Sequence, residues 1–238
     1  MGGGLELITI APAFSKIRPK DYCSIVSTKT FVDPHINTHL KAWDKDYASR
    51  GRLWGGGVKD LPVLPEGASV LELGCGDGKT LCALPGGWKT VALDVSAEAL
   101  RLARKVAGNV NIIQADASRL PLQRESFDAV FAFHVTGHLL AADRCSLASE
   151  AARALVPGGR LFFRDFSEQD MRAGQGEEVE PGTFRRGSGT LTHYFTEKEV
   201  KEIFCELQSV SIGTHCWKLC VKGEDLVRAE VEAVFLKS

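Results

Sequence analysis

Apolar positions along the chain change their spacing partway. From Ile36 to Ser49, the residues Ile36, Leu40, Trp43 and Tyr47 recur at steps of four, three and four, which places them on one face of a helix. Beyond Gly55–Gly57, short apolar runs alternate with amphipathic stretches, the pattern of a sheet covered by helices on both faces. Strands are predicted near 69–73, 89–94, 110–114, 127–133, 159–165, 207–214 and 228–236. Helices are predicted over 78–84, 96–107, 142–155 and 196–206, the last opened by Thr196 with Glu199 in capping-box spacing. Five strands alternate with helices, whereas the last two are joined across Cys220–Asp225 without one. The expected fold is therefore α/β, a seven-stranded mostly parallel sheet ending in a C-terminal antiparallel hairpin, with helices on both faces.

Two stretches stand outside this alternation. Residues 1–35 show no sustained period and read as an irregular arm whose basic cluster is Lys16, Arg18 and Lys20. Residues 167–195 hold Glu177, Glu178, Glu180, Pro181 and several glycines, then Phe184, Arg185, Arg186, Tyr194 and Phe195. A long insertion with basic and aromatic residues on a rigid scaffold is expected to be a substrate-side lid. The division is thus an arm and helix over 1–57, and one α/β domain over 58–238 carrying the insertion at 167–195.

Composition narrows the partners. The 238 residues carry 29 basic and 30 acidic side chains, a net charge of −1, so general electrostatic attraction to polyphosphate is missing. No apolar run approaches the roughly 20 residues that span a bilayer, and the start lacks a leader pattern, so a cytoplasmic protein with no membrane contact is expected. The seven cysteines include no CxxC pair, which fits neither a disulfide framework nor a zinc ribbon. His134 and His138 lie four apart with no third ligand in view, and no metal is expected.

The chemistry concentrates in VLELGCGDGKT at 70–80, where a strand runs into Gly74, Gly76 and Gly78 and then into a predicted helix. Glycines there permit a sharp turn and close ligand approach at the carboxyl edge of the sheet. The dinucleotide spacing GxGxxG is not met, which counts against a nicotinamide oxidoreductase. The second strand ends in Asp94, about twenty residues on, where a carboxylate can accept hydrogen bonds from two ribose hydroxyls. The third ends in Asp116, which with Ala117 can meet an adenine edge, and the fourth ends at Phe133 and His134. Glu72 beside the glycine turn suits an ammonium better than a pyrophosphate, so the charge favours a cationic, amino-acid-bearing cofactor.

This arrangement resembles the class I S-adenosylmethionine-dependent methyltransferases, with their Rossmann-like sheet. The resemblance implies S-adenosylmethionine as cofactor. Gly74, Cys75 and Gly76 would hold its methionine portion, Asp94 and Val95 the ribose, Asp116 and Ala117 the adenine, and Phe133 the adjacent wall. The segments LFFRDFSEQDMR (161–172), GTFRRGSGTLTHYFTEKEV (182–200) and WDKDY (43–47) are similar to those of the methyltransferase-like group that makes 3-methylcytidine in tRNA. On that likeness Trp43 and Tyr47 fold over the cofactor, and the acceptor is a tRNA base, cytidine N3. The FHVTGHLL run departs from that group's mostly aliphatic segment, and a small-molecule N- or O-methyl acceptor stands as the alternative. A noncatalytic cofactor-binding partner subunit is the reading from another class, and an accessory RNA-binding protein is an expected companion of the tRNA reading.

Methyl transfer from a sulfonium is an in-line displacement that needs positioning and dryness more than acid–base chemistry. The catalytic candidates are Asp165, to stabilise a cationic product ring, Arg164, to orient base or phosphate, and His134, as a base where the acceptor must lose a proton. Arg185, Arg186, Thr190 and Tyr194 are the expected substrate contacts from the insertion.

Overall fold

A computed structural model describes residues 37–51, 58 and 60–238. The arm at 1–35 with its basic cluster, and the glycine break at 55–57, lie outside the described residues.

Seven strands form one sheet in the order β3-β2-β1-β4-β5-β10-β9. They are β1 (Ser69–Leu73), β2 (Lys89–Asp94), β3 (Asn111–Gln114), β4 (Phe127–Phe133), β5 (Leu155–Phe166), β9 (Gln208–Val221) and β10 (Glu224–Leu236). The first five run parallel, while β10 pairs antiparallel with β5 and β9 antiparallel with β10. The helices are α1 (Asn37–Arg50), α2 (Ala97–Ala103), α3 (Ala141–Ala154) and α4 (Glu197–Ile203). Leu71, Val130, Phe163 and Val231 on one sheet face pack with Leu147 of α3 and Val200 of α4, whereas Ala92 on the other packs with Leu100 and Ala103 of α2. Both faces are covered, so the central strands read as near-continuous apolar runs.

Four departures from the sequence reading have local causes. The segment predicted helical over 78–84 is a turn leading to a single 3-10 turn at Leu81–Ala83, because Pro85, Gly86 and Gly87 follow at once. Strand β5 begins at Leu155 rather than 159, pairing with Phe127 before a register shift and resuming with Arg160 opposite Ala129. The terminal strands are longer than predicted because Lys222 and Gly223 have φ of 52° and 87°, the left-handed pair that a tight two-residue hairpin needs. The insertion is not structureless: β6 (Glu177–Glu180), β7 (Thr183–Arg185) and β8 (Leu191–His193) form a small antiparallel sheet.

Candidate functional site

The carboxyl ends of the parallel strands open onto a cavity of about 740 Å³. After Leu73 the chain turns through Gly74 and Gly76, with φ of 67° and 54°. A Cβ on Gly74 would lie 2.6 Å from Val135 Cγ2, and one on Gly76 would lie 2.6 Å from the Tyr47 hydroxyl. No other residue combines that backbone with that clearance. Asp94, ending β2, accepts from the Gly76 N–H at 2.8 Å and the Ser96 N–H at 2.8 Å, tying the glycine turn to the start of α2. Ser96 caps α2 by accepting from the Ala99 N–H at 3.1 Å. Its hydroxyl donates to Asp44 of α1 at 2.5 Å, which seats α1 beside the turn. Tyr47 is thereby buried over Gly76, and Trp43 stands edge-on to His138 at 4.6 Å.

Every residue predicted for the cofactor lines this one cavity. Glu72, Gly74, Cys75 and Gly76 come from the end of β1 and its turn, Asp94 and Val95 from β2, Asp116 and Ala117 from the end of β3, Phe133 from β4, and Trp43 and Tyr47 from α1. Glu72 is buried, and among the described residues its Oε2 has no hydrogen-bond partner. Burial pushes its carboxyl up to about 8, with a contribution from Asp94 and opposition from the Thr80 hydroxyl. Burial likewise raises Asp94 to about 6, against the pull of the Ser96 and Gly76 N–H groups. An orphaned, desolvated carboxylate oxygen at a cavity wall is a socket for a cation or a donor.

The predicted catalytic and substrate residues are placed differently. Arg164 and His134 line the cavity, but Asp165 does not. Strand alternation is the reason: Asp165 shares a face with Phe163 and Val231, under the helices, while Arg164 and Phe166 face the cavity. Asp165 is buried and accepts from the Gly137 N–H at 2.7 Å and the Phe166 N–H at 3.0 Å. Burial lifts it to about 7 against those two donors. It holds the 134–138 turn through the Gly137 N–H and does not line the cavity. That turn carries His134 at φ 53°, with Nδ1 3.8 Å from Asp165 Oδ1 and Nε2 3.4 Å from Glu230 Oε1. Desolvation, then the charges of His138 and Arg164, push the His134 imidazole down, while its 37% exposed side chain and the two carboxylates within 4 Å pull the other way.

Of the insertion, Arg185, Arg186, Thr190 and Tyr194 are not among the residues that line the cavity. Their polar groups are used within the small sheet and its loops. Arg185 pairs with Glu177 at 3.3 Å, and Arg186 donates to the Gln175 carbonyl at 3.0 Å and the Tyr194 hydroxyl at 3.3 Å. The Thr190 and Ser188 hydroxyls share a hydrogen bond of 2.8 Å, and Tyr194 is buried against Phe184. The cavity wall missed from the sequence belongs to the terminal hairpin: Arg228, Glu230 and Glu232 of β10, and His215 and Trp217 of β9. A signal existed in the alternation of Arg228, Glu230 and Glu232 with Ala229, Val231 and Ala233, a polar face on a sheet otherwise covered by helices. Among the described residues no group of three or more His, Cys, Asp or Glu gathers as a metal site, and no helix is long and apolar enough to cross a membrane.

Comparison with known proteins bears on this geometry. Residues 71–163 match the family described as Methyltransferase domain. A SAM-dependent methyltransferase of Anabaena variabilis superposes with a TM-score of 0.67 over 88% of this chain and 98% of its own, at 16% identity, a likeness of fold. Over residues 71–163 the chain is thus similar to a methyltransferase domain, and its fold is that of the solved S-adenosylmethionine-dependent methyltransferase. Its relatives differ in acceptor. The tRNA N(3)-cytidine methyltransferase METTL2 of Gallus gallus is 26% identical over 162 residues, 61% of this chain and 44% of that protein. The tRNA N(3)-methylcytidine methyltransferase trm141 of Schizosaccharomyces pombe is 26% identical over 203 residues, 72% of this chain and 80% of its own. An O-methyltransferase of Pyrenophora dematioidea is 34% identical over 112 residues, 44% of this chain and 41% of that protein. This chain thus spans less than half the length of the first of these relatives.

The cavity fits the cofactor of this methyltransferase domain. The unpartnered Glu72 oxygen can take its ammonium, and the glycine turn leaves the space that a Cβ would fill. Asp94 can accept from its ribose hydroxyls.

Proposed function

We propose that the protein moves the methyl group of S-adenosylmethionine to a ring nitrogen of a nucleic-acid base, the N3 of a cytidine in tRNA. The observation that carries the acceptor is the likeness to the tRNA N(3)-methylcytidine methyltransferase trm141 over 72% of this chain and 80% of that protein. Cytosine N3 presents a lone pair and no proton, so its attack requires no base. The bound cofactor supplies an electrophilic methyl on a sulfonium. The residues of this chain do the rest: Glu72 binds the cofactor's ammonium, Asp94 its ribose, and Asp116 with Ala117 its adenine edge, while Trp43 and Tyr47 cover it and keep water out. The match to tRNA N(3)-cytidine methyltransferases supports the acceptor. A net charge of −1 gives the chain little grip on tRNA, so an accessory RNA-binding protein belongs to the proposal, with the cytoplasm as its place of work.

The test is methyl incorporation into total tRNA, followed by mass spectrometry of the nucleosides, where 3-methylcytidine dependent on this protein is expected. The likeness to an O-methyltransferase favours a second reading, a small-molecule acceptor. RNase-insensitive incorporation from a cell extract would establish it in place of the first. Calorimetry showing no binding of S-adenosylhomocysteine would reduce the chain to a noncatalytic partner subunit.

A further inference from the structure

The glycine-turn end of the cavity carries two opposite charges that do not meet. Beyond Gly76 the chain closes a turn, with the Gly78 N–H donating to the Cys75 carbonyl at 2.9 Å. Gly78, at φ 84°, backs onto α2 and the residues after it, where a Cβ would lie 3.1 Å from Ala103 Cα and 2.8 Å from Val106 Cγ2. With the backbone pinned there, the next two residues, Lys79 and Thr80, both line the cavity. The Thr80 hydroxyl hydrogen-bonds the Glu72 carboxyl, whereas Lys79 does not pair with it.

Lys79 is half-buried, and among the described residues its side chain makes no ion pair or hydrogen bond. Its charge is felt inside the cavity, since it is one of those that push the His134 imidazole down. The arginines of the cavity wall are already engaged. Arg164 pairs with Glu232 at 2.8 Å, Arg228 with Asp170 at 2.6 Å, and Arg119 has a contact of its own. Lys79 is thus the unpaired cation of the cavity among the described residues, and it stands on the same turn as the orphaned Glu72 oxygen. A simple cation would satisfy Glu72 and leave Lys79 bare, and an anion would do the reverse. A zwitterion satisfies both at once, which spares either charge from being covered without a partner.

We propose that Lys79 is a specificity-determining residue of the cofactor site, taking the carboxylate of the cofactor's amino-acid end while Glu72 takes its ammonium. The pair then selects an intact α-amino acid over its decarboxylated counterpart. This deepens the reading above and rests on it for the identity of the cofactor. A decarboxylated ligand keeps its ammonium for Glu72 and leaves Lys79 unanswered, so discrimination comes from the missing charge-assisted bond. Because Lys79 is half-exposed and partly solvated, the effect falls at the low end of the range for such bonds, about tenfold.

The test is calorimetry on the full chain with three ligands. S-adenosylhomocysteine keeps both charged groups, its decarboxylated thioether keeps the ammonium alone, and 5′-methylthioadenosine has neither. The parent protein should bind S-adenosylhomocysteine about tenfold more tightly than the decarboxylated thioether. Lys79→Met should abolish that preference by weakening S-adenosylhomocysteine alone, and Lys79→Arg should keep most of it. Glu72→Gln should weaken both amine-bearing ligands and leave the preference in place. Methylthioadenosine should bind every variant within about twofold of the parent, which also reports that each is folded. The proposal is overturned if the parent does not distinguish the first two ligands, if Lys79→Met binds S-adenosylhomocysteine as the parent does, or if it weakens all three alike. Each of those results leaves the cofactor reading standing. A parent protein that binds none of the three ligands overturns the cofactor reading and the role of Lys79 with it.

Discussion

With Glu72 as the proposed seat of the cofactor's ammonium, cofactor binding is expected to be linked to a proton. With the group raised to about 8 by burial, roughly one molecule in ten carries the charged form at pH 7, and only that form pairs with an ammonium. Discharging the proton costs about 1.4 kcal/mol at that pH, by the tenfold-per-unit relation. Affinity for S-adenosylhomocysteine should therefore rise on the order of tenfold between pH 6.5 and 8, a window chosen to lie above Asp94 at about 6. Close to one proton should leave per ligand bound at pH 7. Titration calorimetry in phosphate and in Tris measures that release directly from the difference in buffer ionisation heat. Glu72→Gln keeps the shape of the side chain and removes the titration, so its affinity should be flat across the window and lower at pH 8 by about 1.5–3 kcal/mol. Stability runs the opposite way. Because the folded pKa lies above the unfolded value, the proton favours the fold at low pH, and the ligand-free protein should lose stability as pH rises from about 4.5 to about 8. A parent protein whose affinity ignores pH, or a Gln variant that keeps the slope, would refute the placement of the ammonium at Glu72.

Three further substitutions probe the same cavity. Asp94→Ala removes the acceptor for the ribose and the tie between Gly76 and Ser96, and should weaken cofactor binding by about 1–3 kcal/mol by calorimetry; unchanged affinity would dismiss the ribose assignment. Gly76→Ala puts a methyl at φ 54° and within 2.6 Å of the Tyr47 hydroxyl, so thermal melting should show a loss of about 1–2 kcal/mol, part of it returned by adding Tyr47→Phe. Asp44→Ala cuts the hydrogen bonds from the Ser96 hydroxyl and the Glu98 N–H, and limited proteolysis should then cleave around α1 faster while the sheet stays protected.

The sheet was legible because its signals are local. Apolar runs ending in Asp94, Asp116 and Phe133 state both a strand and the edge at which it stops, and each of these residues lines the cavity. Asp165 shows what that reasoning cannot supply. An acid at a strand end looks like its neighbours in sequence, but the side of the sheet it takes depends on register, and one residue separates the cavity face of Arg164 from the helix-covered face of Asp165. The insertion was opaque for a related reason. Arg185 and Arg186 read as free charges along the chain, whereas β6 to β8 fold back on themselves and supply Glu177, the Gln175 carbonyl and the Tyr194 hydroxyl as their partners. Trp217 and Glu230 lie far from the glycine motif in sequence, and only the antiparallel pairing of β10 with β5 brings them to the same opening.

The His138 ring joins two elements that sequence keeps far apart. Its Nδ1 lies 2.6 Å from the Leu191 carbonyl of the small sheet, an acceptor that fixes the proton on that nitrogen, and its edge meets Trp43 of α1 at 4.6 Å. Two contacts, Trp43 on His138 and Asp44 on Ser96, therefore seat α1 over the glycine turn. Loosening either contact is expected to shorten the residence time of a molecule held beneath Tyr47, a rate that stopped-flow displacement in Trp43→Ala and Asp44→Ala would measure.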